Sequence, residues 1–305
     1  MQPDRRPRAH RIITGDCAAV LPTLPAESVQ VCVTSPPYFD LRDYGAEGQI
    51  GLEETPETFI EKLVAVFREV RRILRDDGTL WINMGDSYAS GVPGMKPKDM
   101  IGIPWMLAFA LRADGWFLRS EIIWHKPNPM PESVADRPTK AHEHLFLLSK
   151  SARYFYDADA IREPLAPKTL TTFGTEHRTK GGDDLGKVKA DNWARSVPTR
   201  KPRLTEDGEH AGANKRTVWT VGTQPFKGAH FATFPPRLVE PCILAGSRPG
   251  DTVLDPFAGA GTTGLVADRL GRSFVGIEIN EEYATMARER IRSDAPLFVR
   301  EVANA

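Results

Sequence analysis

The chain holds three cysteines in 305 residues, Cys17, Cys32 and Cys242, and no two form a Cys-x-x-Cys pair. That scatter excludes a disulfide framework and a cysteine zinc site, and it predicts a reducing, cytoplasmic setting. Long apolar runs are lacking too, since none approaches the roughly 20 residues that cross a bilayer. Met1–Arg11 is basic and polar, so neither a secretory leader nor a membrane partner is expected. Net charge is absent, with 40 Lys and Arg against 40 Asp and Glu. A uniformly basic nucleic-acid binder is thereby excluded, yet the charge is unevenly spread. Residues 160–229 hold 13 basic and 8 acidic residues, which leaves 27 and 32 for the rest of the chain. The basic excess sits in one segment, read either as a solvated insertion or as a grip on an anionic partner.

What the chain does have is an alternation of strand and helix signals. Residues 1–9 read as a basic arm, followed by a strand over Arg11–Asp16 and a brief helix through Leu21 and Leu24. A β-branched strand over Val29–Val33 comes next, then a polar loop from Phe39 to Glu54. Thr55 and Pro56 open a helix whose apolar residues run to Leu74, with Gly78 as its stop. Further strands are predicted over Thr79–Met84, Phe117–Trp124 and His144–Leu148, and a helix over Met100–Leu111. From Pro164 to Phe226 periodicity fades. It returns with a helix after Pro235-Pro236, a strand over Thr252–Asp255, a helix over Thr263–Leu270, a strand over Phe274–Ile277 and a helix over Glu281–Ile291. This alternation predicts an α/β fold with a doubly wound, mostly parallel sheet and one basic insertion.

Two strand ends carry the chemistry. The first is Thr34-Ser35-Pro36-Pro37-Tyr38. Its prolines cannot continue a ladder, so the chain turns at the carboxyl end of a strand, where open α/β sheets place their ligands. Ser35 and the nearby carbonyls can accept hydrogen bonds from an amino group. Tyr38 offers a ring for stacking, or else is a plain core aromatic. The second is Asp255-Pro256-Phe257-Ala258-Gly259-Ala260-Gly261-Thr262-Thr263, between a strand and a helix. Its glycines let a ligand approach the backbone, and Glu278, ending the next strand, can take two ribose hydroxyls. A nicotinamide or flavin nucleotide is one ligand for such a turn. The missing third glycine, and an acid that would repel a pyrophosphate, favour a cofactor with an ammonium and a sulfonium, S-adenosyl-L-methionine.

Together the motifs resemble the amino-methyltransferases of DNA, with their (Asp/Asn/Ser)-Pro-Pro-(Tyr/Phe) loop and Asp-Pro-Phe-x-Gly-x-Gly turn. The order here, catalytic loop before variable segment before cofactor turn, is that of the β class. The resemblance implies a Rossmann-like, S-adenosylmethionine-dependent methyltransferase. Residues 1–160 would form its catalytic half, 161–228 a target-recognition insertion and 229–305 the cofactor-binding half. It implies Ser35, Pro36, Pro37 and Tyr38 as catalytic residues. Around the cofactor it implies Asp16, His230, Thr233, Asp255, Phe257, Gly259, Gly261, Thr262, Glu278 and Asn280. On DNA it implies Lys126, Asn128, Lys201 and Arg203, and it implies no metal. The reaction implied is site-specific methylation of the exocyclic N4 of a flipped cytosine, because Ser-Pro-Pro-Tyr is the form usual for cytosine-N4 enzymes. Adenine-N6 methylation is the alternative, and a catalytically inert DNA-binding relative a further one. Expected partners are double-stranded DNA and a cognate restriction endonuclease, with the protein a monomer or homodimer at the nucleoid.

Other readings fail on residues. Cytosine-C5 methyltransferases need a Cys after Pro, and the one such pair, Pro241-Cys242, lies in an amphipathic helix as a core thiol. Protein-glutamine methyltransferases carry a related Asn-Pro-Pro-Tyr loop after the cofactor turn, not before it. His142-Glu143-His144 lacks a metal-binding helical spacing and reads as polar strand residues. Asp16 reads equally as a helix cap, and Trp124–Pro129 equally as a surface turn.

Overall fold

The computed structural model describes residues 8–43, 45–46, 48–165, 212–223, 234–294 and 299–301. The chain divides into two compact units, Met1–Asp157 with Arg216–Ala305, and Ala158–Lys215. Among the described residues the larger unit carries nine strands in one sheet. They are β1 Arg8–Thr14, β2 Val29–Thr34, β3 Leu74–Met84, β4 Phe117–His125, β5 His142–Ser149, β6 Val218–Thr220, β7 Thr252–Asp255, β8 Ser273–Glu278 and β9 Val299–Glu301. The order across the sheet is β6-β4-β5-β3-β2-β7-β8-β1-β9. Neighbours are parallel except where β5 pairs with β3 and β4.

Helices α1 Cys17–Val20, α2 Pro56–Ile73, α3 Ile103–Ala113, α4 Pro236–Gly246, α5 Thr262–Arg269 and α6 Glu281–Asp294 complete the unit. All six residues of β2 are buried, as a strand covered on both faces requires. Cys32 joins the core that α2 closes with Phe59, Leu63, Phe67 and Val70. Val31 points the other way. A Cβ on Gly246 of α4 would stand 2.7 Å from its Cγ2, so only glycine lets α4 settle there.

The strand order fixes where a site can form. The chain leaves β2 through α2 for β3 on one side, and leaves β7 through α5 for β8 on the other. β2 and β7 are neighbours, so the connections diverge between them and open a crevice at their carboxyl ends. Both motifs sit there.

Several expected boundaries move. Arg8 and Ala9, read as part of an arm, already belong to β1 and pair with β9. α2 ends at Ile73, and Leu74 begins β3 with a register irregularity against Val29 and Val31. Leu74 suits a helix face and a buried strand equally, so periodicity misplaced it. α3 starts at Ile103, not Met100, because the Asp86 carboxylate accepts from the N–H groups of Gly102 and Ile103. That cap lies 16 residues upstream of Gly102 and has no local signature. β6 went unseen, being three residues long.

In the smaller unit, a 3-10 turn over Asp159–Ile161 leads to a bridge between Glu163 and Ala213. Arg162 ties it by donating to Asp159 at 2.7 Å and to the Gly212 carbonyl at 3.0 Å. No helix among the described residues is long and apolar enough to cross a membrane.

Candidate active site

The two motif loops are locked together beneath their surface. Asp255, fully buried at the end of β7, accepts from Thr34 Oγ1 at 2.7 Å, Thr263 Oγ1 at 2.7 Å and the Phe257 N–H at 3.0 Å. The Thr263 hydroxyl also lies 3.2 Å from the Val33 carbonyl. Burial pushes the Asp255 carboxyl up to about 6 despite these donors. Its folded value lies above the ordinary 3.8, so the stability it contributes is full below about pH 4 and is lost as pH rises through 6. Asp255→Asn removes that titration. The stability of the Asn form relative to wild type should climb between pH 4 and 6, by about 1.4 kcal/mol per unit at most, then level off. Urea unfolding of both proteins across this range is the check, and a constant difference would show a carboxyl ionised throughout.

Above this lock lies a cavity of about 310 Å³. Its lining includes Ser35, Pro36, Pro37, Tyr38, Asn83, Trp124, Lys126 and Glu143. Tyr38 is fixed there from two sides. A Cβ on Gly85 would stand 2.5 Å from its ring, and its hydroxyl donates to Glu143 Oε2 at 2.6 Å. Asn83 donates to the same two oxygens, at 2.9 and 2.7 Å, and Lys126 pairs with Glu143 Oε1. The Lys126 ammonium also lies 4.4 Å from the centre of the Trp124 ring. Burial, and then the Glu143 charge, push the Tyr38 hydroxyl well above its ordinary value, so it stays protonated as a donor.

The same lining includes Asp16, Phe257, Gly259, Thr262, Glu278, Ile279 and Tyr283. Gly259 has φ +50°, and a Cβ built there meets nothing within 4 Å, so it would project into open space. Its N–H donates to Glu278 Oε2 at 2.8 Å, and the Asn280 N–H to Oε1 at 3.0 Å. Each oxygen keeps lone pairs for hydroxyl donors. Burial raises the Glu278 carboxyl above its ordinary range. Loop residues Leu41, Arg42 and Gln49 line the cavity as well.

With this geometry in view, the sequence profile of the N6/N4 DNA methylases matches residues 29–289. The chain belongs to that family. The methylase is 46% identical, over 96% of its length and 91% of the relative, to the type II methyltransferase M.XycI of Xanthomonas campestris pv. cyanopsidis. It is 45% identical to M.SmaI of Serratia marcescens, over 93% and 91% of the two chains. Among solved structures it is similar to a candidate DNA modification methylase of Thermus thermophilus complexed with S-adenosyl-L-methionine. That match has TM-score 0.61 and 28% identity over 97% of this chain and 100% of the other. It shares its fold with the cytosine-N4-specific PvuII DNA methyltransferase, at TM-score 0.65 and 19% identity over 99% and 92%.

The methylase brings most of the expected residues to this one cavity, but not all. Asp255 lies below the wall, held by internal donors, and is not at the surface where an ammonium would meet it. Gly261 is a packing glycine, for its Cβ would stand 2.8 Å from that of Ala287. Asn280 caps α6, accepting from the Glu282 and Tyr283 N–H groups. Asn128 clasps Thr223, accepting from its N–H at 3.0 Å. Asp16 caps α1 through the Ala18 N–H and also lines the cavity. Cys242 is a buried thiol, as expected. His230, Thr233, Lys201 and Arg203 lie outside the described residues. Sequence reasoning missed Asn83, Glu143 and Tyr283. Asn83 had a signal, a polar residue near the carboxyl end of an apolar run. Glu143 had none, sitting in the polar start of β5, His142-Glu143-His144, where any polar residue fits.

Proposed function

We propose that the methylase transfers a methyl group from S-adenosyl-L-methionine to the exocyclic N4 of a cytosine flipped out of double-stranded DNA. The observation that carries this reading is that acceptors for an amino group and a cradle for a nucleoside wall the same cavity. The cradle fits the cofactor in its particulars. Gly259 leaves room against the backbone, the Glu278 carboxylate can accept from ribose hydroxyls, and Phe257, Ile279 and Tyr283 give apolar surface for a base. When bound, the cofactor supplies an electrophilic methyl group on a sulfonium.

The chain's own residues do the rest. The target amino nitrogen is conjugated with its ring and a poor nucleophile. Ser35 Oγ and the Pro36 carbonyl accept its hydrogens and turn its lone pair out of conjugation, towards the methyl group. Tyr38, fixed by Gly85 and Glu143, offers a ring face to the base. Serine at the head of the Pro-Pro-Tyr loop supports cytosine over adenine. Digesting DNA methylated by the pure protein to nucleosides tests this. N4-methylcytosine is expected, and N6-methyladenine would overturn the choice of base.

The basic segment within 161–228 serves as the target-recognition part, gripping phosphates through residues such as Lys201 and Arg203. Affinity for DNA should then fall steeply with salt. Replacing both residues by Ala should flatten the slope of log affinity against log salt by about two units, near 0.9 for each lost phosphate contact. Fluorescence titrations over a salt series give the slope, and an unchanged one returns the segment to a solvated insertion.

A further inference from the structure

We infer that Lys126, steered by Glu143, covers the ring nitrogen of the flipped base, so that methylation falls on the amino group and not on the ring. This rests on the base-methylating reading above and adds to it what selects the atom. In an aminopyrimidine the amino lone pair is delocalised into the ring, whereas the in-plane pair on the adjacent ring nitrogen is not. The ring nitrogen is therefore the stronger nucleophile. Acceptors for the amino hydrogens do not guard it. Something in the pocket must donate to it.

Apart from Lys126, the side-chain donors on that wall are otherwise engaged: the Trp124 indole N–H goes to the Val221 carbonyl at 2.8 Å, and the Ser35 hydroxyl is hydrogen-bonded to the Tyr38 oxygen. The Tyr38 hydroxyl commits its proton to Glu143 and accepts from Asn83. The Asn83 amide gives its N–H groups to Tyr38 and Glu143. Glu143 is an acceptor only. Lys126 has three N–H bonds. One goes to Glu143 Oε1 and the Trp124 ring takes one side of the ammonium, which leaves donor capacity on the cavity wall. A free lysine would sweep a wide arc. Here the carboxylate and the indole hold it beside the loop that carries Ser35, one carboxylate away from the Tyr38 hydroxyl. Cytosine, whose O2 lies next to N3, gives such a cation two adjacent acceptors, while adenine has a C–H beside N1.

The electron count separates the two routes. On the amino route the N4 lone pair forms the N–C bond as the S–C bond breaks, that pair staying on sulfur, and N4 sheds one proton to water. On the ring route N3 supplies the pair and has no proton of its own to lose, so the base is left cationic.

The test uses the full-length protein and neutral enzymatic digestion of the DNA to nucleosides, read by mass spectrometry. Wild type should yield amino-methylated base. Lys126→Met should raise the ratio of N3-methylcytosine to N4-methylcytosine by about tenfold or more, the value of a hydrogen bond to a charged group, and Lys126→Arg should restore it. Should the methylated base prove to be adenine, the base assignment fails while the N1-to-N6 ratio still tests Lys126. A second arm needs no turnover. Wild type should favour the cytosine duplex over one with 3-deazacytosine at the target position about tenfold more than Lys126→Met does, a comparison in which the easier flipping of the weakly paired analogue cancels. An unchanged product ratio in Lys126→Met, or the same duplex preference in wild type and Lys126→Met, overturns the inference.

Discussion

Ser35→Ala should lower kcat by about a hundredfold or more, the usual cost of removing one oriented polar group from a reacting centre. Cofactor affinity should change little, because the nucleoside cradle is formed by Gly259 and Glu278, which are tied to one another and not to Ser35. The lost contact is strongest as the amino nitrogen becomes tetrahedral, so the loss belongs to the transition state and appears in kcat. Tyr38→Ala should behave differently. It removes a stacking face, at about 1–3 kcal/mol, and also frees Glu143 and Asn83 from a shared partner. Single-turnover transfer with both variants, alongside calorimetry for the cofactor, separates the two. Wild-type turnover in Ser35→Ala would remove this loop from the chemistry.

Two glycines only two residues apart should fail in opposite ways. Gly259→Val sends its side chain into the cavity and demands φ +50° of a β-branched residue. Cofactor binding should be lost, by about a hundredfold or more, in a protein that still folds, since about 3 kcal/mol of contact and strain suffices. Gly261→Val instead drives a side chain against Ala287, with 2.8 Å to its Cβ and 3.1 Å to its Cα, at φ +73°. It should melt early or fail to fold, because overpacking and strain add. Thermal melts and calorimetry on the pair give the contrast. A stable Gly261→Val that binds no cofactor would put that glycine back in the site.

The sheet, its crevice and both loops were legible because each depends on local signals: a β-branched run stopped by prolines, and a glycine turn between strand and helix. Periodicity could not say which glycine meets a ligand and which meets a helix. That distinction lives in α6, whose Ala287 is 26 positions downstream of Gly261. The same limit hid the role of Asp255. An acid heading a glycine turn invites a ligand, but three donors, two of them threonine hydroxyls from other strands and helices, claim it first. Glu143 was unreadable for the converse reason, as nothing local separates a strand glutamate in solvent from one holding Tyr38, Asn83 and Lys126.

The buried tie between Thr34 and Asp255 spans 221 positions of sequence, and that between Val33 and Thr263 spans 230. At ribosomal speeds of about 5–20 residues per second, β7 emerges on the order of 10–40 seconds after its neighbour β2. Until then the Ser35 loop has no floor and the cofactor turn does not exist. Contacts so distant in sequence also close late in folding. A chain that stops short of β7 and α5 therefore cannot methylate anything, and activity arrives as one event once both have emerged.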